Sequence, residues 1–181
     1  MLRLALPLLC GAALLCACAS GEPGKSESPS SFAKLQDAPP PLAALYKQPS
    51  KLLKGGQDGY EDALRKLRGY PVVVNAWASW CGPCRFEFPF FQRQAAKRGK
   101  EVAFLGINSG DNDGDAMRFL DEYPLPFPSY KDPDQKILGR VKAVGLPSTI
   151  FYDRKGKLGF LHQGVYADEA KLAADIERYA R

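Results

Sequence analysis

Two cysteines stand close together in the segment Trp80-Cys81-Gly82-Pro83-Cys84. An apolar, strand-like segment precedes them and a helix-like segment follows. Two cysteines three positions apart at such a junction have Cα atoms within the roughly 4.4 to 6.8 Å that a disulfide requires. They can therefore open and close a disulfide without a change of fold, which is the chemistry of thiol-disulfide exchange.

The two cysteines are expected to play different parts in that exchange. Cys81 would lie at the helix N-terminus, where unpaired amide groups and the positive end of the helix dipole favour the thiolate. As the more exposed thiol, it would attack a substrate disulfide and form a mixed disulfide. Cys84, one turn further into the helix and shielded, would resolve that intermediate by attacking the sulfur of Cys81.

Three other interpretations compete with a redox-active pair. A structural zinc site needs four ligands, and beyond Cys81 and Cys84 the chain after residue 18 offers one histidine, His162. A purely structural disulfide would close a very short loop and gain little chain entropy. The third is a pair of unrelated buried cysteines. The strand before the pair and the helix after it favour the redox interpretation, with no metal and no cofactor beyond the two sulfurs.

The elements that position the pair follow from hydrophobic patterning. Residues 71–78 are almost continuously apolar and rich in β-branched side chains, which predicts a central strand covered on both faces. Residues 81–98 fit a helix closed by Gly99. Further strands are predicted at 102–109, 126–130, 149–153 and 158–163, and further helices at 58–68, 115–123, 134–141 and 167–179. Alternating strands and helices with a late hairpin predict an α/β sandwich with a mixed central sheet.

Composition limits the class of protein. The 181 residues are 45% hydrophobic and 25% charged, which is typical of one soluble domain and not of a disordered or polytopic membrane protein. The net charge is +5, but 25 Lys and Arg are interspersed with 20 Asp and Glu. No basic stripe indicates nucleic-acid binding.

The N-terminal residues have a different character. Residues 4–21 carry no charge, follow Arg3 and are interrupted by Pro7 and Gly11, which predicts a secretory leader and not a membrane span of roughly 20 apolar residues. Leu15-Cys16-Ala17-Cys18 resembles the lipobox of bacterial lipoproteins, which implies acylation of Cys18. An ordinary cleaved signal and an uncleaved anchor remain open. The predicted organisation is a signal peptide (1–17), a flexible tether (18–37) and one folded domain (38–181).

A family resemblance adds to these expectations. Asn75-Ala76-Trp77-Ala78-Ser79-Trp80-Cys81-Gly82-Pro83-Cys84-Arg85 resembles the thioredoxin active-site stretch, and Cys84-Arg85-Phe86-Glu87-Phe88-Pro89 narrows the resemblance to the extracytoplasmic TlpA/ResA-like disulfide reductases. It covers residues 38–181. It implies a thioredoxin fold with a helix and a strand inserted after the strand at 102–109.

The resemblance also assigns roles to individual residues. Pro147 matches a cis-proline that faces the cysteine pair and aligns a bound peptide. Glu87 matches an acidic residue that exchanges a proton with Cys84; the alternative is an ordinary exposed helix glutamate. Asn75 stands where cytosolic thioredoxins carry a buried aspartate, so proton handling must differ. The residues expected to bind substrate are Trp80, Gly82, Pro83, Leu146 and Pro147.

Several neighbouring residues have less distinctive patterns. Trp77 is interpreted as a core side chain, although it and Trp80 are candidates for lids over the site. Ala78 stands where a peroxidase pattern would have Thr or Ser, which disfavours peroxidase activity. Residues 111–115 are interpreted as a polar loop and helix cap, because a calcium loop would lack its first and last carboxylate ligands. His162 is interpreted as a strand side chain.

The resemblance implies an exported, membrane-tethered thiol-disulfide oxidoreductase. The Gly82-Pro83 dipeptide resembles that of reducing members, so we expect electrons to pass from a membrane thiol donor to exported protein substrates with disulfides, apocytochrome c among them. The protein is expected to be a monomer, tethered to a bacterial membrane by a lipid on Cys18, that does not bind nucleic acid. Two alternatives stay open: an oxidase that forms disulfides in secreted proteins, and a non-catalytic module that holds a peptide beside Pro147.

Overall fold

A six-stranded mixed sheet forms the centre of the molecule in the computed structural model, which describes residues 29–181. Its strands are β1 (Leu52–Leu53), β2 (Val72–Trp77), β3 (Ala103–Ser109), β4 (Ser129–Asp132), β5 (Ser148–Tyr152) and β6 (Leu158–Gln163). The order across the sheet is β1-β4-β3-β2-β5-β6. Neighbours from β1 to β2 run parallel, whereas β5 is antiparallel to both β2 and β6. The predicted mixed sheet, with the strand before the cysteines in its interior, is confirmed.

Helices cover the sheet. They are a 3-10 helix (Pro29–Asp37), α1 (Pro40–Tyr46), α2 (Gly56–Lys66), α3 (Gly82–Arg98), α4 (Asp113–Glu122), α5 (Lys136–Arg140) and α6 (Glu169–Tyr179). The five predicted helices are confirmed, and α4 and β4 form the helix and strand that the resemblance places after β3. The sequence patterns did not predict the 3-10 helix, α1 or β1. Within residues 29–181, no helix has the length and apolar character needed to cross a membrane.

The folded part begins earlier than predicted. Residues 29–37, assigned to the flexible tether of 18–37, form the 3-10 helix and bury Phe32 and Leu35. These side chains are three residues apart and therefore share one face of a 3-10 helix. Gly99, at the end of α3, allows the close approach, since a Cβ there would lie 2.8 Å from Leu35 Cδ2 and 2.9 Å from the Tyr46 hydroxyl. The predicted leader and Cys18 lie outside the described residues.

Strand β4 starts later than its predicted position at 126–130. Pro126 and Pro128 have no backbone N–H and cannot donate to a ladder. The carbonyl of Pro128 instead accepts a hydrogen bond from the Gly106 N–H at 2.9 Å. Regular pairing therefore begins at Ser129, which is opposite Gly106 in the register.

An aromatic cluster fixes the junction between β2 and α3. Trp77 is fully buried, with its ring 5.3 Å from that of Phe88 on α3 and 5.3 Å from that of Phe119 on α4. Its Nε1 donates a hydrogen bond to Ser129 Oγ at 3.0 Å. Trp77 is therefore a core side chain, as predicted, and not a lid. Each aromatic pair at such a spacing stabilises the fold by about 0.5 to 1.5 kcal/mol beyond the effect of buried area. These contacts therefore fix the position of the C-terminal end of β2.

Candidate active site

The cysteine pair lies where the chain leaves β2 and enters α3. Cys81 is the N-cap of α3, and its Sγ accepts a hydrogen bond from the Cys84 backbone N–H at 3.2 Å. The two residues form a disulfide with Cα atoms 5.3 Å apart, inside the range expected from their spacing. One turn of helix therefore holds both sulfurs.

The two cysteines differ slightly in exposure. Cys81 is 4% exposed and Cys84 is fully buried, so their order is as predicted although the difference in the disulfide form is small. Trp80, Gly82 and Pro83 around them are exposed. Of the two cysteines, only Cys81 therefore has any surface that a partner from solvent could reach.

A cis peptide bond joins Leu146 to Pro147, as the resemblance implied. The register of β2 with β5 pairs Ala76 with Ser148, so Pro147 lies beside the end of β2 from which the chain leads to Cys81. The Pro147 carbonyl accepts a hydrogen bond from the Gly164 N–H at 2.9 Å. The Leu146-Pro147 loop is thus anchored beside the end of β2 that leads to the cysteine pair.

Glu87 lies one turn beyond Cys84 on α3 and is fully buried. Its Oε1 accepts a hydrogen bond from Asn75 Nδ2 at 2.9 Å, and its Oε2 accepts one from the Tyr166 backbone N–H at 3.1 Å. Burial raises the pKa of Glu87 to about 7, although both hydrogen bonds favour the charged form. The alternative of an exposed helix glutamate is wrong. Near neutral pH this carboxyl can both accept and release a proton.

A second carboxylate, that of Asp111, holds the segment just before the cysteines. Its Oδ2 accepts hydrogen bonds from the Ser79 N–H at 2.6 Å and from Asn108 Nδ2 at 2.8 Å. Its Oδ1 accepts from Ser79 Oγ at 2.8 Å and from the Asn112 N–H at 2.9 Å. The helix cap predicted within 111–115 is Asn112, whose Oδ1 accepts from the Asp115 N–H. No local sequence pattern indicated this role of Asp111, although adjacent parallel strands β2 and β3 end at the same edge of the sheet.

Trp80 has an exposed but oriented side chain. It is 62% exposed, and its Nε1 donates a hydrogen bond to the Gly110 carbonyl at 2.9 Å. It borders a groove of about 430 Å³ that also contacts Arg85, Arg118 and Phe119. The Arg85 guanidinium lies 5.5 Å from the centre of the Phe119 ring. The Trp80 side chain therefore forms part of the protein surface next to Cys81 and is not a buried lid over the disulfide.

Four exposed apolar side chains occur in segments adjoining the pair, and we call them the apolar rim: Trp80, Phe86, Val144 and Val165. Phe86 follows Cys84 on α3, and Val144 precedes the cis peptide. Val165 follows Gly164, which is hydrogen-bonded to Pro147. All four are side chains that a partner approaching these segments could contact.

His162 lies in β6, as predicted, and belongs to a polar cluster that the sequence did not indicate. Its ring stacks on that of Tyr166 with centres 3.9 Å apart, and its Nδ1 is 4.0 Å from Asp175 Oδ2. The Tyr166 hydroxyl donates a hydrogen bond to the same carboxylate oxygen at 2.9 Å. Because the Tyr166 backbone also binds Glu87, this cluster adjoins the active-site carboxyl. Among the described residues, no group of three or more His, Cys, Asp or Glu side chains is arranged to hold a metal.

A disulfide at the start of the helix that follows an interior strand, beside a cis-proline loop, defines the thioredoxin-like class of α/β proteins. The sequence model of the AhpC/TSA family matches residues 46–160, which is more than half of the chain. The chain belongs to this family.

Curated relatives and a solved structure agree with this class. The chain is 35% identical over 117 residues to the thiol:disulfide interchange protein DsbE of Pseudomonas fluorescens biotype C, over 61% of this chain and 63% of that protein. It is 31% identical over 102 residues to the thiol-disulfide oxidoreductase ResA of Bacillus thuringiensis strain Al Hakam, over 56% of this chain and 59% of that protein. The chain thus spans about six tenths of these relatives.

A crystal structure described as a thiol:disulfide interchange protein DsbE from Chlorobium tepidum superposes with a TM-score of 0.59 at 34% identity. The match covers 64% of this chain and 83% of that one. The thioredoxin-like fold expected from the resemblance is therefore confirmed.

Proposed function

We propose that this protein is a thiol-disulfide oxidoreductase that exchanges disulfides with other proteins through Cys81 and Cys84. The observation that carries the proposal is the disulfide within the first turn of α3, with Cys81 on the solvent side and Cys84 buried. The names of the DsbE and ResA relatives support it. Ala78 supplies no hydroxyl at the position where a peroxidase pattern has one, which argues against peroxide reduction.

The reaction cycle follows from the two environments. The Cys81 thiolate attacks a substrate disulfide, and a mixed disulfide forms as one substrate thiolate leaves. The Cys84 thiol gives its proton to the carboxylate of Glu87 and then attacks the sulfur of Cys81. The second substrate sulfur leaves as a thiolate and takes a proton from solvent. Two electrons have then passed from the cysteine pair to the substrate, and the Cys81–Cys84 disulfide has formed.

Substrate binding is assigned to the surface around Cys81. The apolar rim would contact apolar side chains of the substrate, and the exposed Gly82 and Pro83 leave its approach open. An extended peptide would lie along Leu146 and Pro147, next to the end of β2.

The proposed setting is outside the cytoplasm, and the proposed direction is reduction. The leader and the acylation of Cys18 rest on the sequence of residues 1–18. The tether predicted to follow Cys18 would then join the lipid to the folded domain. Electrons would come from a membrane thiol donor and pass to exported proteins, apocytochrome c included. The Gly82-Pro83 dipeptide supports this direction.

Reduction of insulin by dithiothreitol, followed by turbidity, tests the activity. We expect turnover by the wild-type protein, none by Cys81→Ser, and at most one equivalent of mixed disulfide from Cys84→Ser, which keeps the nucleophile. Equal turnover by wild type and Cys81→Ser would contradict the proposal. Absence of turnover in all three proteins would favour the peptide-binding module.

The reduction potential of the pair in glutathione buffers tests the direction. The reduction potential of thioredoxin is about −270 mV, and that of a strong oxidant is about −120 mV. We expect a value closer to the former. A value near the oxidant end would favour the oxidase alternative while leaving disulfide exchange intact.

A further inference from the structure

Three polar side chains lie side by side across the sheet, and we call them the polar row: Asn75, Thr149 and His162. The register pairs Asn75 of β2 with Thr149 of β5, and Thr149 with His162 of β6. Residues directly opposite on antiparallel strands have Cβ atoms about 4.5 to 5.5 Å apart and point to the same face. Since Asn75 contacts Glu87 on α3, the row lies on the α3 face.

Each member of the polar row has one atom without a protein partner. Within residues 29–181, Asn75 Oδ1, Thr149 Oγ1 and His162 Nε2 are buried and make no hydrogen bond. Asn75 and Thr149 are fully buried. Buried polar atoms are costly unless they are paired, and internal water typically bonds to several such atoms at once. Three such atoms stand on directly paired residues of neighbouring strands, which points to a continuous polar path.

The two ends of the polar row lie in different surroundings. At the inner end, Asn75 Nδ2 donates to the buried Glu87 carboxyl at 2.9 Å. At the outer end, His162 Nδ1 is 4.0 Å from Asp175 Oδ2, and both side chains are 26% exposed. The row therefore leads from the active-site carboxyl to solvent.

We propose that the polar row is the route by which Glu87 exchanges its proton with solvent, with Thr149 and His162 as positioning residues. This rests on the proposed function, in which Glu87 takes a proton from Cys84 in each cycle. The proton then passes through internal water and the Thr149 hydroxyl to His162 Nε2. The imidazole becomes an imidazolium beside the Asp175 carboxylate and releases its other proton to solvent. No electrons move in these steps.

The other titratable groups near the polar row are poorly suited to carry the proton of Glu87 to solvent. Burial, together with the hydrogen bond to Asp175, raises the pKa of the Tyr166 hydroxyl far above its ordinary value, so that hydroxyl keeps its proton. Glu169, on the neighbouring α6, is paired with Arg93 at 2.5 Å. Cys84, on the same helix as Glu87, is the proton source. His162, by contrast, offers a buried Nε2 that makes no hydrogen bond within the protein and can therefore accept a proton.

Stopped-flow mixing of the reduced protein with 5,5′-dithiobis(2-nitrobenzoate) separates the two thiol steps. The first release of thionitrobenzoate reports attack by Cys81, and the second reports attack by Cys84 on the resulting mixed disulfide. We expect Thr149→Val and His162→Gln to slow the second phase by roughly tenfold near neutral pH, with the first phase unchanged. Thr149→Ser keeps the hydroxyl, so its second phase should match the wild type.

The measurement separates a proton path from a structural role. Thr149 Oγ1 makes no hydrogen bond in the protein, so Thr149→Val should not lower the unfolding temperature. Second phases of Thr149→Val and His162→Gln equal to the wild type from about pH 5 to 9 would overturn the proposal. A wild-type protein with no second phase would instead refute the proposed function. If His162→Gln fails to fold, the comparison of Thr149→Val with Thr149→Ser tests the proposal without it.

Discussion

Two carboxylates approach the cysteine motif from different sides, and their surroundings differ. Asp111 accepts four hydrogen bonds, two of them from Ser79, just ahead of the pair. Glu87 is fully buried and accepts two, and burial raises its pKa to about 7. A carboxylate surrounded by donors stabilises a fixed conformation, whereas a desolvated one with fewer donors can change its protonation state. The comparison assigns a positioning role to Asp111, whereas the surroundings of Glu87 support the proton transfer proposed for it.

The largest expected effect is on the resolving step. Glu87→Gln keeps the shape and one hydrogen-bond acceptor but cannot take the proton of Cys84. We expect the second thionitrobenzoate phase to slow by about 10²-fold and to lose its pH dependence near 7. Glu101→Gln, on the surface after α3, is the matched control and should behave as wild type. A Glu87→Gln second phase as fast as the wild type would remove the distinction between the two acids.

A second effect concerns stability against pH. Burial raises the pKa of Glu87 from 4.5 to about 7, so the unfolded chain loses this proton at lower pH than the folded protein does. The contribution of Glu87 to the free energy of unfolding should therefore fall by about 3 kcal/mol as pH rises from about 4.5 to 7. Above pH 7 it should stay level.

Urea unfolding of the oxidised protein at several pH values checks this sign. The fall should be present in the wild type and absent in Glu87→Gln, which should be the more stable protein above neutral pH. The opposite result would be a wild-type protein that gains stability relative to Glu87→Gln as pH rises. It would show that the folded protein favours the charged form of Glu87.

A smaller effect is expected at the other acid. Asp111→Ala leaves the Ser79 and Asn108 donors without their acceptor, and we expect a loss of about 2 kcal/mol in the free energy of unfolding. The pH at which the second thionitrobenzoate phase is half-maximal should stay unchanged. Asp121→Ala, at an exposed site on α4, provides the control. A shifted pH profile in Asp111→Ala would mean that this acid also takes part in proton transfer.

The smallest expected effect is at Trp80. Trp80→Phe keeps an aromatic surface but loses the hydrogen bond to the Gly110 carbonyl, which is worth about 0.5 kcal/mol at an exposed site. Insulin reduction should show a raised KM with little change in kcat, because the ring is proposed to contact the substrate and not the reacting sulfurs. A large fall in kcat with unchanged KM would place Trp80 among the groups that act on the sulfurs.

Local sequence patterns predicted the main strands and helices because the hydrophobic pattern of each of these segments is specific to its secondary structure. The apolar run of β2, the hairpin of β5 and β6, and the amphipathic helices were all visible in sequence. Short elements were missed: α1 has seven residues with two prolines, and β1 has two residues, which is too few for a period to show. The 3-10 helix of residues 29–37 was hidden in a polar segment, since its burial depends on the space beside Gly99.

The candidate site was predictable only where the motif itself supplied the information. Cys81 and Cys84 follow from spacing, and Glu87 and Pro147 followed from a family resemblance. Asp111 and His162 gave no such signal, because their partners are Ser79 and Asp175, distant in sequence and brought near by the fold. The register that aligns Asn75, Thr149 and His162 depends on strand pairing, which no local pattern specifies.

The most direct test of the account is covalent trapping. Reduced Cys84→Ser, mixed with a protein substrate that contains a disulfide, should accumulate one mixed disulfide at Cys81, visible by mass spectrometry and released by dithiothreitol. Cys81→Ser should give none. Absence of any adduct from Cys84→Ser, while its Cys81 is still readily alkylated, would contradict the claim that this pair transfers electrons to other proteins.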